Sequence, residues 1–401
     1  MGIKAVNFNT SENFALQNSC GTSNGGCSHF CFSRPDKDYT CACPRGYHLV
    51  DKFNCVLEKV SFFFLQKHEI QQQLANSSLI SQVSGIQSAK SFDLDVARNT
   101  VYWIDSKSRA IFRLVLHKGQ PEQIFKLPSD SNSKPEDLAI DWLSEQLYWV
   151  DSASRKIEVG KSDGKYRKVI YQFLDGQKPK SVVVDSAFGY LFVSSFDRQW
   201  VARIDCFFLD GSKVFKSPVI HNARNVHSLT IDYDDHRLYW LDENRNIDSC
   251  KYDGSNRKFI KGNSERFSSI SVFQSYIYLL DPNQKIIRII NKTKGFDVTS
   301  NLTISVSSNT SDIIVSHPLA QTGWNCCANR NGGCEQLCFY KLQFKNGHKQ
   351  YDTCDMEDSS VVCGCKVNYR LDGSDTRKCL GKEGKTKMTF QVNLFYFIFR
   401  A

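Results

Sequence analysis

The sequence predicts an all-β protein: a six-bladed propeller set between two small disulfide-rich modules. Three observations carry that expectation. A short aromatic pattern recurs through the middle of the 401 residues at the spacing of one four-stranded blade. Of sixteen cysteines, six lie within Cys20–Cys55 and eight within Cys326–Cys379, leaving only Cys206 and Cys250 between. The composition, 41% hydrophobic and 23% charged with far more Phe (28) and Tyr (16) than Met (3), fits a globular, strand-rich chain.

The pattern is clearest in Val101-Tyr-Trp-Ile-Asp105, Leu147-Tyr-Trp-Val-Asp151 and Leu238-Tyr-Trp-Leu-Asp242, with weaker copies in Tyr190-Leu-Phe-Val-Ser194 and Ile277-Tyr-Leu-Leu-Asp281. Steps between second residues are 46 (102 to 148), 43 (148 to 191), 48 (191 to 239) and 39 (239 to 278). An apolar strand ending in Asp precedes the first four, at Asp95, Asp141, Asp185 and Asp232, and an Asp-Gly turn follows three, at Asp163, Asp210 and Asp253. Each unit therefore reads as four strands. Ser61-Phe-Phe-Phe-Leu65, one period upstream of Tyr102, is a sixth, degenerate copy. Six blades closed by opposite ends of the chain leave no open sheet edge. A β-sandwich is the alternative, and the Gly-His and Trp-Asp signatures of another propeller class are missing.

Side chains alternate along a strand, so Tyr148 and Val150 face one way and Trp149 and Asp151 the other. The aromatics are expected to fill the wedges between blades, and the Asp to accept backbone N–H groups at a blade junction. That is packing, not catalysis. No His-Glu-x-x-His occurs, and the acids that can be placed are locked to the repeat, so no enzyme is expected.

The net charge of +9 is spread evenly: +1 over Met1–Lys59 (6 basic, 5 acidic), +4 over Val60–Gln321 (33, 29) and +4 over Thr322–Ala401 (12, 8). This argues against a nucleic-acid groove. Disulfide-dense modules imply an oxidising, extracellular compartment. Met1–Gln17 has no apolar signal region, and Leu394–Phe399 is far too short for a membrane span, so a fragment of a longer extracellular protein is expected. The expected layout is an undefined segment 1–17, a cysteine module 18–58, the propeller 59–321, a cysteine module with an insertion 322–380, and an undefined tail 381–401. Asn76, Asn291, Asn301 and Asn309 head Asn-x-Ser/Thr sequons and are candidate glycan acceptors. Cys206 and Cys250 are expected as buried free thiols. Most of the nine histidines, such as His236 in a turn beside Asp235, are expected to be solvated.

Spacing alone leaves fifteen pairings open for six cysteines. The first module, with Asn24-Gly-Gly-Cys27 and Pro44-Arg-Gly-Tyr47, resembles an EGF-like domain. The resemblance implies Cys20–Cys31, Cys27–Cys41 and Cys43–Cys55. The second resembles another EGF, implying Cys327–Cys338, Cys334–Cys363 and Cys365–Cys379, with two extra cysteines, Cys326 and Cys354, whose pairing would tether the insertion. Zinc does not suit this spacing, and the acidic cluster of calcium-binding EGF modules is replaced by Leu16-Gln-Asn-Ser19, so neither metal nor cofactor is expected.

EGF, six YWTD-type blades, EGF is an order similar to the LDL receptor and its relatives. Cys20–Pro35, Asp137–Trp142, Asn291–Thr293 and Gln321–Asn325 look most like the Wnt co-receptor branch of LDL-receptor-related proteins, and within it the third propeller. The resemblance implies that the propeller's upper face docks secreted protein ligands, Wnts or their antagonists, through aromatic and acidic residues. Here Glu136, Phe196 and Asp242 keep that character, while Lys134, Arg266, Ser88, Ser106, Ser268, Asn309 and Pro282 depart from it. Phe196 and Trp200 are expected as exposed aromatics without strand partners, flanked by Glu136 and Asp242. Arg266 lies on the same face. An endocytic receptor that releases lipoprotein cargo and a nidogen-like matrix linker are the alternatives. Membrane attachment belongs to parts of the receptor outside this chain.

Overall fold

A computed structural model describes residues 20–34, 38–74, 79–129, 132–199, 201–244, 246–262, 266–293, 302–307, 309–342, 344–345, 348–349 and 360–381. Six four-stranded antiparallel sheets form a closed propeller. Blade 1 takes Thr310–Ser316 as its first strand and Ser61–Gln66, Glu69–Leu74 and Leu79–Val83 as the rest. Opposite ends of the propeller segment thus share one sheet, which removes an edge that would otherwise be free to pair. Blades 2 to 6 run in chain order from the first strands Ala89–Asp95, Pro135–Asp141, Lys178–Asp185, Ser228–Asp232 and Ser269–Phe273. No helix among the described residues is long and apolar enough to cross a membrane.

Alternation along the second strand explains the Tyr-Trp pair. Tyr148 and Val150 pack with Val182, Val184 and Leu191 of blade 4, whereas Trp149 packs with Tyr102 and Ile104 of blade 2. Tyr239 and Trp240 divide in the same way between the junctions with blades 6 and 4. One side chain faces the next blade, its neighbour the previous one. At Asp210-Gly211 and Asp253-Gly254 the turn needs positive φ, 89° and 83° at the glycines. A second constraint acts there: a Cβ would come within 2.3 Å of a carbonyl oxygen of the preceding blade, Ile170 and Val219 respectively.

The repeated aspartates cap turns. Asp151 accepts from the N–H groups of Ala153 (3.0 Å) and Ser154 (2.7 Å) after its strand and of Lys134 (2.9 Å) before the first strand of its own blade. Asp105 does the same with Gln87, Ser88, Lys107 and Ser108. These aspartates therefore clamp loops within one blade, and the junction role expected of them falls to a different set.

That set forms a ring around the central channel. Four residues before the strand-ending aspartates stand Ser91, Asp137, Ser181 and Ser228, with Ser269 and Asp312 at the matching places in blades 6 and 1. Four of these six side chains accept from an N–H of the next blade's first strand: Ser91 from Leu138 (3.2 Å), Asp137 from Val182 (2.9 Å), Ser228 from Ile270 (3.2 Å) and Ser269 from Ile313 (3.2 Å). First strands lie too far apart for a backbone ladder, and short side chains fill the gap.

The EGF-like modules carry the disulfides Cys20–Cys31, Cys27–Cys41, Cys43–Cys55, Cys327–Cys338, Cys334–Cys363 and Cys365–Cys379. Cys354, the expected partner of Cys326, lies outside the described residues. Asn24 and Asn331 explain the Asn-Gly-Gly-Cys signature, since each amide donates to two carbonyls of its turn: Cys27 and His29 in the first module, Cys334 and Gln336 in the second. The trailing module is docked on the lower face. Leu337 and Phe339 are buried in the junction of blades 3 and 4, and Asn325 donates to the Ser186 carbonyl at 2.7 Å. In the leading module the residues flanking the equivalent cysteine, Phe30 and Phe32, are 51% and 59% exposed. That module meets the lower face through Glu58, whose carbonyl lies 3.1 Å from His317 Nε2.

Cys206 and Cys250 are buried free thiols in the junction of blades 4 and 5. His236 is not solvated as expected; its ring lies 4.4 Å from that of Phe188 and 5.9 Å from that of Tyr252. Its ring thus sits between Phe188 of blade 4 and Tyr252 of its own blade 5.

Candidate functional site

The channel through the propeller opens on the upper face, where the first strands begin. It encloses about 520 Å³. At its lower end the Gln321 amide donates to the Leu94 carbonyl and accepts from the Val96 N–H. At its mouth stands one residue from each blade, the position before the ring just described: Lys90, Glu136, Lys180, His227, Ser268 and Ser311. For Lys90, Glu136, Lys180 and Ser311 the inward aim has a local cause. Strand register slips by one residue between Ala89 and Ser91, Pro135 and Asp137, Pro179 and Ser181, and Thr310 and Asp312. Each skipped residue is a bulge residue, and bulges re-aim side chains.

Charge at the mouth is concentrated on blades 2 to 4. Lys134 Nζ lies 2.9 Å from Glu136 Oε1, while Lys180 (2.9 Å) and Lys90 (3.2 Å) reach Oε2. The Ser152 hydroxyl donates to Oε1 at 2.8 Å. Burial alone would raise the Glu136 carboxyl, but hydrogen bonding and charge from Lys180, with Lys134 and Lys90, hold it down to about 2. Three ammonium groups on one carboxylate leave an excess of positive charge, with Lys134 Nζ on a side chain that is 67% exposed. Below, burial pushes the Asp93 and Asp312 carboxyls up to about 7. Among the described residues no group of three or more His, Cys, Asp or Glu side chains is placed to hold a metal ion.

A crevice of about 400 Å³ adjoins the mouth, sharing His227 and Ser268 with it, and Asp242, Glu243 and Arg266 line it. Arg266 is exposed there. Three expectations for this face need correction. Glu136 is not an exposed charge: its bulge turns it inward and three lysines enclose it. Asp242 is also buried, because its carboxylate closes its own loop on the Asn246 N–H (2.9 Å) and Nδ2 (3.0 Å). Phe196 has strand partners, Lys178 and Ala202, and packs half-buried on the blade 4–5 cluster. Trp200, Asn76 and Asn301 lie outside the described residues. Asn309 is exposed, and Asn291 Oδ1 accepts from the Thr293 N–H and hydroxyl. Lys90, Lys180 and His227 were not singled out from the sequence, although each stands five residues before a strand-ending aspartate.

The fold and its modules define an EGF–propeller–EGF unit of YWTD type. Residues 20–55 match the family model described as Coagulation Factor Xa inhibitory site. Low-density lipoprotein receptor-related protein 5 of Mus musculus and of Homo sapiens are each 32% identical over 384 residues, 94% of this chain and 22% of theirs. A propeller in the crystal structure of a nidogen–laminin complex superposes with a TM-score of 0.56 at 20% identity, covering 66% of this chain and all of that one, which bears on the fold alone. Over 94% of its length the chain is similar to the LDL-receptor-related proteins. It spans about a fifth of the length of the curated relatives it matches.

Proposed function

We propose that this chain is an extracellular ligand-binding unit of a cell-surface receptor of the LDL-receptor-related type, and that secreted proteins of the Wnt class or their antagonists dock on the upper face of its propeller. The supporting observation is the mouth: six blades each deliver one side chain to a single opening, on the face opposite the docked trailing EGF module. Arg266, Phe196 and Trp200 are the proposed contacts around it, while Glu136 and Asp242 hold lysines and loop in place. N-glycans at Asn291 and Asn309 belong to the same reading. An N-glycosidase that removed no mass from the secreted chain would contradict them.

The test is a binding titration of the intact chain against Wnt-class ligands and secreted antagonists. Arg266→Glu should weaken binding about tenfold or more with an unchanged melting temperature. Absence of binding to every such ligand, with lipoprotein or laminin binding instead, would transfer the assignment to the endocytic or matrix alternative.

A further inference from the structure

The mouth is basic where the family resemblance implies acidic contacts, and its chemistry specifies what it can receive. Lys90, Lys134 and Lys180 come from three consecutive blades, and all three ammonium groups lie within 3.2 Å of one carboxylate. Glu136 neutralises one of three charges. Its side chain is 3% exposed, while those of the lysines are 36%, 67% and 29% exposed, so the uncompensated charge faces solvent and the compensating charge does not. The neighbouring crevice carries Asp242 and Glu243 against Arg266, and gives no excess of positive charge.

We propose that the Lys90–Lys134–Lys180 mouth is a docking site for an aspartate or glutamate side chain on an extended segment of a secreted protein ligand. This rests on the receptor reading above and specifies its partner. The three compact ammonium groups gathered on Glu136 keep solvent-facing sides close together, a cluster that a single further carboxylate can bridge. A sulfated glycan chain, with anionic groups along its length, would call for a linear stripe of cations instead. The channel beneath and the crevice beside the mouth leave room for the residues flanking the acid. Because Lys134 is both the most exposed lysine and the one whose backbone Asp151 fixes, it is the group free to bridge from Glu136 to an incoming acid.

The test uses the full secreted chain with a fluorescein-labelled oligoglutamate peptide and its oligoglutamine counterpart, read by anisotropy. The acidic peptide should bind about tenfold or more tightly, with the difference shrinking as salt rises. Lys134→Glu should abolish the preference and Lys134→Gln reduce it, both with an unchanged melting temperature. Lys165→Glu, on the lower face, should leave it intact. Equal binding of the two peptides, or a preference that survives Lys134→Glu, overturns the proposal. So does a heparin oligosaccharide that binds through Lys134 while oligoglutamate does not. A Wnt-class ligand that binds Lys134→Glu normally overturns the carboxylate site and leaves the receptor reading standing. Oligoglutamate binding lost in Lys134→Glu, in a chain that takes no secreted protein ligand, supports the site and removes the receptor reading.

Discussion

The side-chain amide of Gln146 and the peptide unit of Cys338, 192 residues apart, satisfy each other in both directions: Gln146 Nε2 donates to the Cys338 carbonyl at 2.7 Å, and the Cys338 N–H donates to Gln146 Oε1 at 3.1 Å. Both residues are fully buried. This pair fixes the trailing EGF module on blade 3, between the burials of Leu337 and Phe339. Gln146→Ala leaves a buried donor and acceptor unpaired and should cost about 2 to 4 kcal/mol. Gln146→Glu keeps the acceptor but buries a charge against the Cys338 carbonyl, and should cost at least as much. Limited proteolysis should show the trailing module released before the propeller is cut. Simultaneous cutting would mean that the docking rests on apolar burial alone.

Asp151 carries the upper loops of blade 3 on one carboxylate, which accepts from three N–H groups and the Ser133 hydroxyl. Asp151→Ala should therefore destabilise the chain by on the order of 3 to 5 kcal/mol, and Asp151→Asn by less. Denaturant melts report it, and a cost below about 0.5 kcal/mol would show the loops to be held by other means.

Protonation in the channel gives stability a pH dependence of definite sign. Burial raises the Asp312 carboxyl from its ordinary 3.8 to about 7, against the hydrogen bond from Ser269, and the Asp137 charge pushes in the same direction as burial. Between about pH 4 and pH 7 the folded chain holds a proton that the unfolded chain has lost, so this group's contribution falls as pH rises through that window. Asp312→Asn keeps the Oδ1 that accepts from the Ser269 hydroxyl and the Ile313 N–H. It should reduce the slope by this group's share, leaving that of Asp93, which burial also pushes up to about 7, and add roughly 1 to 3 kcal/mol above pH 7. An unchanged slope, or a loss of stability at pH 8, would contradict the assignment.

Thiol chemistry separates the domains. Burial pushes the Cys250 thiol up to about 12 and raises Cys206 as well. Neither should be alkylated in the native chain. Reduction should expose the EGF cysteines, whose disulfides are worth about 2 to 4 kcal/mol each, and leave the strand circular dichroism of the blades in place. Peptide mapping checks both points. Early labelling of Cys206 or Cys250 would show that the blade 4–5 junction opens without global unfolding.

Blade number, ring closure and the facing of Tyr148 and Trp149 were legible in the sequence because each follows from a repeat and a two-residue period. The mouth was not. Nothing in the sequence singles out Lys90 and Lys180, and only a bulge, which leaves no compositional mark, turns them to the channel. Glu136 and Asp242 read as free charges, since the three lysines around the first come from blades about 45 residues apart and the Asn246 loop around the second has no sequence signature. The aspartates ending the second strands were legible as structural. Their N–H partners within the same blade were not, because loop geometry decides where a carboxylate can reach.

The claim that the upper face is the working surface is tested most directly by titrating an immobilised Wnt-class ligand, and then a secreted antagonist, with the intact chain, with Arg266→Glu and Arg266→Ala on the upper face, and with Lys165→Glu on the lower face. Binding weakened about tenfold or more by the upper-face changes, with melting temperatures unchanged and Lys165→Glu indistinguishable from the parent, is the predicted result. Equal binding by all four proteins, or affinity losses that track losses of stability, would contradict it.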